Sequence, residues 1–120
     1  MARVLLADDD AAMRDLVSRS LGADGHTVIV AHDGQDALDQ AHSAGQPFDI
    51  LVTDVQMPGV DGISLATQMF ALNPKLKMVL MSGLQSEMAR AGNLTAMGAH
   101  FISKPFTLEQ IRSLVRTALV

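Results

Sequence analysis

The chain of 120 residues contains no cysteine, no tryptophan and no tyrosine. Without thiols there is neither a disulfide framework nor a thiolate metal site, a composition that fits a reducing cytoplasm. Without Trp or Tyr, a stacked flavin would lack its usual aromatic partners. Basic residues are also scarce: nine Lys+Arg stand against thirteen Asp+Glu, for a net charge of −4. That balance argues against a nucleic-acid surface, which needs clustered Lys and Arg to meet phosphates. No apolar run approaches the roughly 18 residues of a membrane span. The first residues enter a strand at once, so no signal peptide is expected. There is no internal repeat, low-complexity tract or linker.

What the chain does contain is a regular alternation. At 48% hydrophobic and 18% charged residues it reads as ordered and globular. Its 120 residues predict one domain, 1–120, which would bury roughly two-thirds of its unfolded surface. Val4–Ala7 is apolar throughout and predicts a strand covered on both faces. Met13, Leu16, Val17, Ser20 and Leu21 recur at helical spacing, and Gly22 and Gly25 bracket that helix's end. Thr27–Val30 is rich in β-branched residues and predicts a strand. A helix over Gly34–Ala44 turns Ala37, Leu38 and Ala41 inward until Gly45 and Pro47 break it. Ile50–Thr53 is a strand, 54–61 a loop, and Gly62–Leu72 a helix burying Leu65, Ala66, Met69 and Phe70 before Asn73-Pro74 stops it. Met78–Met81 is another buried strand. Gln85–Met97 predicts a weaker helix, because Gly92 and Asn93 sit inside it. His100–Ser103 is the last strand. Thr107–Leu119 is the last helix, with a Thr107/Gln110 capping box and an inner stripe of Leu108, Ile111, Val115 and Ala118.

Five strand–helix pairs in alternation imply right-handed crossovers and a parallel sheet with helices on both faces. In such sheets a ligand site forms outside the carboxyl ends of the strands. Asp8 and Asp9 follow the first strand, Asp54 the third, Ser82 the fourth and Lys104 the fifth. All therefore fall on that one edge. Three carboxylates a few ångströms apart repel one another, by about 4 kcal/mol per pair at 4 Å and an effective dielectric of 20. They call for a cation. Mg²⁺ (or Mn²⁺) suits them, being hard and oxygen-seeking. A carboxylate in this setting can attack phosphorus to give an acyl phosphate. A lysine and a serine hydroxyl beside it can neutralise phosphoryl oxygens.

In order along the chain, Asp8-Asp9, Asp54…Met57-Pro58…Asp61-Gly62, Ser82-Gly83 and Lys104-Pro105-Phe106 resemble the receiver domain of bacterial response regulators, over the whole length. The resemblance implies a flavodoxin-like (βα)5 three-layer sandwich with a parallel five-stranded sheet in strand order 2-1-3-4-5. It implies that Asp54 accepts a phosphoryl group from a sensor histidine kinase or a phosphotransfer protein. Asp9 and Asp54 would ligate the metal directly, Asp8 largely through water, and the Gln56 carbonyl would add a ligand. Ser82 and Lys104 would contact the phosphoryl group, with Lys104–Pro105 cis. In the family the residue matched by Ser82 moves toward the phosphoryl group and an aromatic on the fifth strand turns inward behind it. Phe101 stands at that position and has no hydroxyl, which bears on any partner that reads a tyrosine oxygen there. Gly83 replaces a common alanine, and Gln56 and Leu84 flank the site where the family tunes hydrolysis.

A single Asp after a strand is ordinarily a turn or helix cap, and Asp10 and Asp61 are assigned that role. His26, His32, His42 and His100 show no metal spacing and read as surface or strand-end residues. The eight methionines read mostly as core filler. Asp8-x-Asp10 also resembles the nucleophile motif of haloacid-dehalogenase-type phosphatases. That reading needs a second acidic pair late in the chain, and only Glu109 follows Lys104. A flavodoxin-like cofactor binder would need a phosphate loop after the first strand, where this chain is acidic. A docking-only pseudo-receiver would have lost an acid or the lysine.

The chain is thus expected to be a signalling receiver and not an enzyme in its own right. Its output would pass through the face formed by the fourth helix, fifth strand and fifth helix to a protein partner. A second copy of the chain, docking on phosphorylation, is one candidate, and a stand-alone protease adaptor is another role the same pattern allows. No helix-turn-helix, kinase or cyclase segment follows Thr107–Val120, so either a stand-alone receiver or one whose output domain was cut away is expected. The expected location is cytoplasmic, with no membrane partner.

Overall fold

Five parallel strands share one sheet in the order β2-β1-β3-β4-β5, in a computed structural model that describes residues 2–120. The strands are β1 (Arg3–Ala7), β2 (Thr27–Ala31), β3 (Ile50–Asp54), β4 (Lys77–Ser82) and β5 (His100–Ser103). Between and after them lie α1 (Ala11–Ala23), α2 (Gly34–Ser43), α3 (Gly62–Leu72), the short α4 (Gln85–Arg90) and α5 (Gly92–Ala96), and α6 (Leu108–Leu119). This is the flavodoxin-like α/β sandwich with the predicted strand order. The registers Leu6↔Val52, Thr53↔Leu80 and Met81↔Ile102 bring the strand ends level along one edge.

Period-two alternation divides the core into two layers. Leu5, Leu51, Met78 and Leu80 face Ala37, Leu38, Leu65, Met69 and Leu94 on one side. Val4, Leu6, Ile50, Val52, Val79 and Met81 face Val17, Leu21, Ile111 and Val115 on the other. Every residue of β3 is buried, which is why it opens on the apolar run Ile50-Leu51-Val52 before reaching Thr53 and Asp54. Each fully buried Leu or Ile here contributes about 2 kcal/mol of transfer free energy.

Some expectations shift. Leu16 is 49% exposed and Leu108 38%. A residue one position before Val17 is rotated by about 100° around the helix, so the buried face of α1 runs through Val17, Ser20 and Leu21 with Met13 at its margin. Leu108 opens α6 in its first turn, away from the Ile111, Val115 and Ala118 stripe. Of the methionines, Met57, Met69, Met78 and Met81 are core, while Met97 is 40% exposed. Phe70 and Ala41 are only partly buried but pack on the first layer. The Gln85–Met97 helix is two pieces: Ala91, at φ −94° and ψ 17°, ends α4 and opens α5. Gly92 and Asn93 are poor helix formers, and buried Ala91 and Leu94 fix the junction against the core.

Asp10, Asp33, Asp61 and Thr107 each cap a helix through the side chain. Asp10 and Asp61 thus take the roles assigned to them. Neither α4 nor α5 has a side-chain cap at its N-cap residue. Among the described residues no helix is long and apolar enough to cross a membrane.

Candidate functional site

The site is built by strand ends that are pinned to one another. Asp8 donates its amide to the Ala31 carbonyl at the end of β2, at 3.2 Å. Val55, just after Asp54, donates to Met81 at 3.0 Å, and Lys104 donates to Ser82 at 2.8 Å. Main-chain bonds thus carry the ladder one residue past the strands and fix where Asp8, Asp54 and Lys104 emerge. The loop after Asp54 turns at Gly59, whose φ of +75° lies in the left-handed region open to glycine. Gly62 then returns against the strand: its amide donates to Val55 at 2.8 Å. A Cβ at Gly62 would sit 2.1 Å from the Asp54 carbonyl oxygen, so only glycine fits. Gly34, at the start of α2, is equally tight, since a Cβ there would lie 2.0 Å from the Val60 carbonyl oxygen.

Carboxylate oxygens of Asp8, Asp9 and Asp54 lie within 4.8 Å of one another. Asp8 and Asp54 are buried, and Asp9 is exposed. The Lys104 ammonium donates to Asp54 Oδ2 at 2.8 Å, and the Lys104–Pro105 peptide bond is cis. Burial pushes the Asp8 carboxyl above the ordinary carboxylate range. The Asp10 amide, donating to Asp8 Oδ1 at 2.9 Å, works against that rise, as does the charge of Lys104. The negative charges of Asp54 and Asp9 add to it. Asp8 Oδ2 is buried with no hydrogen-bond partner. An orphaned, buried carboxylate oxygen facing two other acids is the donor set a hard divalent cation requires. The residues present therefore fit Mg²⁺ or Mn²⁺. Gln56 lies two residues beyond Asp54, exposed, in the adjoining loop.

Ser82 lies at the end of β4 and is buried. Its hydroxyl is turned to α4, 2.7 Å from Glu87 Oε1 and 2.8 Å from the Leu84 carbonyl. Phe101 pairs with Leu80 across β4 and β5 and packs, half-buried, on the first core layer. The histidines stay out of the acidic cluster. His26 accepts the Ala2 amide at 3.2 Å, and His32 stands beside Asp33 and Asp36 on the surface.

Three contacts near the site escape a reading of the sequence. Arg14 donates to the Asp8 carbonyl at 2.8 Å, Arg90 reaches Asp61 at 3.5 Å, and Glu87 is buried against Ser82. Each is a charged residue on a helix, and in sequence such residues look like solvent-facing positions. Only the five-residue step from Ser82 to Glu87, which returns a helix's first turn toward the preceding strand end, could have suggested one of them.

Residues 4–116 match the family described as response regulator receiver domain. The chain is 37% identical over 117 residues to the response regulator MprA of Mycobacterium avium, an alignment covering 98% of this chain and 50% of that protein. It thus spans about half the length of the curated relatives it matches. Among solved structures it is similar to the chemotaxis protein CheY4 of Vibrio cholerae, with a TM-score of 0.81, 30% identity and 99% of both chains covered. A response regulator receiver domain protein from Clostridium thermocellum shares the fold, with a TM-score of 0.88 at 21% identity over 99% of this chain and 94% of that one.

Proposed function

The chain belongs to the response regulator receiver family of two-component signalling, and from that premise we propose that Asp54 is its phosphoacceptor. The observation that supports this most is the meeting of three carboxylates within 4.8 Å beside an ammonium 2.8 Å from Asp54. Asp9, Asp54 and the Gln56 carbonyl would hold Mg²⁺ or Mn²⁺, with Asp8 contributing largely through water. The ion, when bound, offsets the repulsion among the acids and the charge on phosphoryl oxygens.

An Asp54 carboxylate oxygen attacks the phosphorus of a phosphohistidine on a sensor kinase or phosphotransfer protein. An O–P bond forms, the P–N bond breaks, and the electron pair leaves on the imidazole nitrogen. Lys104 is already held at Asp54 and needs only a small shift to meet the new phosphoryl oxygens. Ser82 donates to one of those oxygens once its hydroxyl turns from α4. Phe101 repacks behind it, in the layer where it is half-buried. On this reading the domain is a signalling switch, not an enzyme acting on an outside substrate, and it works in the cytoplasm.

Output leaves through the face of α4, α5, β5 and α6. That face carries an open groove of about 710 Å³ lined by Phe101, Ile102, Pro105, Gln110 and Leu114 among others, a shape suited to a protein partner or a second copy of the chain. Phosphorylation shifts the population toward the conformer that binds the phosphoryl group better.

Asp54→Asn tests the assignment directly. Labelling by a small phosphodonor with Mg²⁺ should fall to background while the circular dichroism spectrum is unchanged. Uptake of one phosphoryl group by the mutant at an acid-stable residue would remove Asp54 from the role.

A further inference from the structure

Among the described residues three carboxylates are buried: Asp8, Asp54 and Glu87. The first two belong to the acidic cluster, and Glu87 does not. It lies on α4, only 5% exposed, and no basic side chain among the described residues pairs with it. A carboxylate in such a place is unfavourable unless it is hydrogen-bonded. Its partner is the Ser82 hydroxyl at 2.7 Å. A hydroxyl has one proton and the Leu84 carbonyl is also near, at 2.8 Å. The charged oxygen is the stronger acceptor, so the proton goes to Glu87.

The arrangement is a helix cap with a serine inserted into it. Glu87 is the third residue of α4, and Leu84 is its N-cap. A glutamate at that position ordinarily reaches back to the cap residue's own amide. Here the Leu84 amide donates instead to Ser82 Oγ at 3.2 Å, and Ser82 passes the bond on to Glu87. The start of a six-residue helix is thus closed through the hydroxyl that the receiver chemistry needs elsewhere. At its far end α4 is anchored by buried Ala91, and Arg90 adds a surface ion pair to Asp61 at 3.5 Å.

Resting on the receiver reading above, we infer that Glu87 is a positioning residue: it holds the Ser82 hydroxyl at the start of α4, and departure of that hydroxyl to a phosphorylated Asp54 uncaps the helix. The buried acid then loses its donor and α4 must open to hydrate it. This links the chemistry at Asp54 to the output face.

The test compares Glu87→Ala, Glu87→Gln and the same changes in a Ser82→Ala background, with beryllofluoride and Mg²⁺ as the phosphoryl mimic. Glu87→Ala should tighten beryllofluoride binding by roughly ten- to hundredfold, the scale of one hydrogen bond to a charged group. Glu87→Gln keeps an acceptor oxygen in place and should restore most of the wild-type value. In Ser82→Ala, neither change should matter. If Glu87→Ala does not fold, the smaller shift of Glu87→Gln and its loss in Ser82→Ala carry the same comparison. The metal-free protein gives a second readout: three-bond couplings should show one Ser82 χ1 rotamer in the wild type and averaging in Glu87→Ala. Unchanged affinity and couplings, or an equal affinity change with and without the serine hydroxyl, would overturn the inference alone. A wild type that ignores beryllofluoride would overturn the receiver reading and this inference with it.

Discussion

The two halves of the sheet's functional edge are built by different rules. On one half, β1 and β3 deliver the acids from strands whose residues are almost all buried. The flanking α1, α2 and α3 each begin at an aspartate cap, and two glycines allow the loop after β3 to close to contact distance. On the other half, β5 has no fully buried residue. The helix preceding it is broken at Ala91, and neither piece is capped at its first turn by the N-cap side chain. Local stability falls where buried contacts and caps are few. The half that carries Asp54 is therefore fixed in advance, and the half that would report its proposed modification is the cheaper one to rearrange.

The largest effect that would sharpen this contrast is at Lys104, the one site residue the looser half supplies to Asp54. Lys104→Ala should lower phosphoryl uptake by about a hundredfold, the scale of one lost charge-stabilising group. Mg²⁺ affinity, read by titration, should hold or rise, because a competing cation is gone. Undiminished uptake or retained output would remove Lys104 from its role. Next comes Gly62→Ala. A Cβ there meets backbone at 2.1 Å and should destabilise the fold by about 2 kcal/mol in urea unfolding. A neutral result would break the claim that the half carrying Asp54 is rigid.

Asp8→Asn follows. Burial raises the Asp8 carboxyl, so folding favours its protonated form. The charged form begins to weigh against the metal-free fold as pH rises above the unfolded value of 3.8. It does so fully once pH exceeds the raised folded value. Asp8→Asn should then add about 1 kcal/mol at neutral pH without metal, and that gain should vanish below the unfolded value. With Mg²⁺ present the order reverses, since the wild type alone gains the full linkage stabilisation. Thermal midpoints across pH, with and without Mg²⁺, check both signs. The smallest effect is expected in the looser half. A Cβ at Gly92 meets nothing within 4 Å, so Gly92→Ala should stabilise by about 0.5 kcal/mol. A loss as large as that of Gly62→Ala would erase the difference between the halves.

The same division governs what could be read in advance. Asp8, Asp9, Asp54 and Lys104 were legible because a strand ends where its apolar run ends, and a parallel sheet sends all such ends to one edge. Sheet order followed with the family resemblance. Leu16 and Leu108 were misplaced because helical spacing identifies a stripe but not its margins, which depend on neighbouring elements. The break at Ala91 left only a trace in Gly92 and Asn93, since the contacts that set it are long-range. Glu87 left only its five-residue spacing from Ser82 as a trace: burial of a charged residue depends on a partner, and its partner is a hydroxyl that sequence assigns to another task.

Gly34 carries one more consequence. Because its backbone already touches Val60, the segment that follows Asp54 has a wall on the α2 side and cannot travel that way. On its opposite flank a surface ion pair joins Asp61 to Arg90, a link that yields at small expense. If Asp54 is modified as proposed, a displacement starting there would be given a heading as well as a cause: away from α2, and toward the helix that Glu87 is inferred to keep closed.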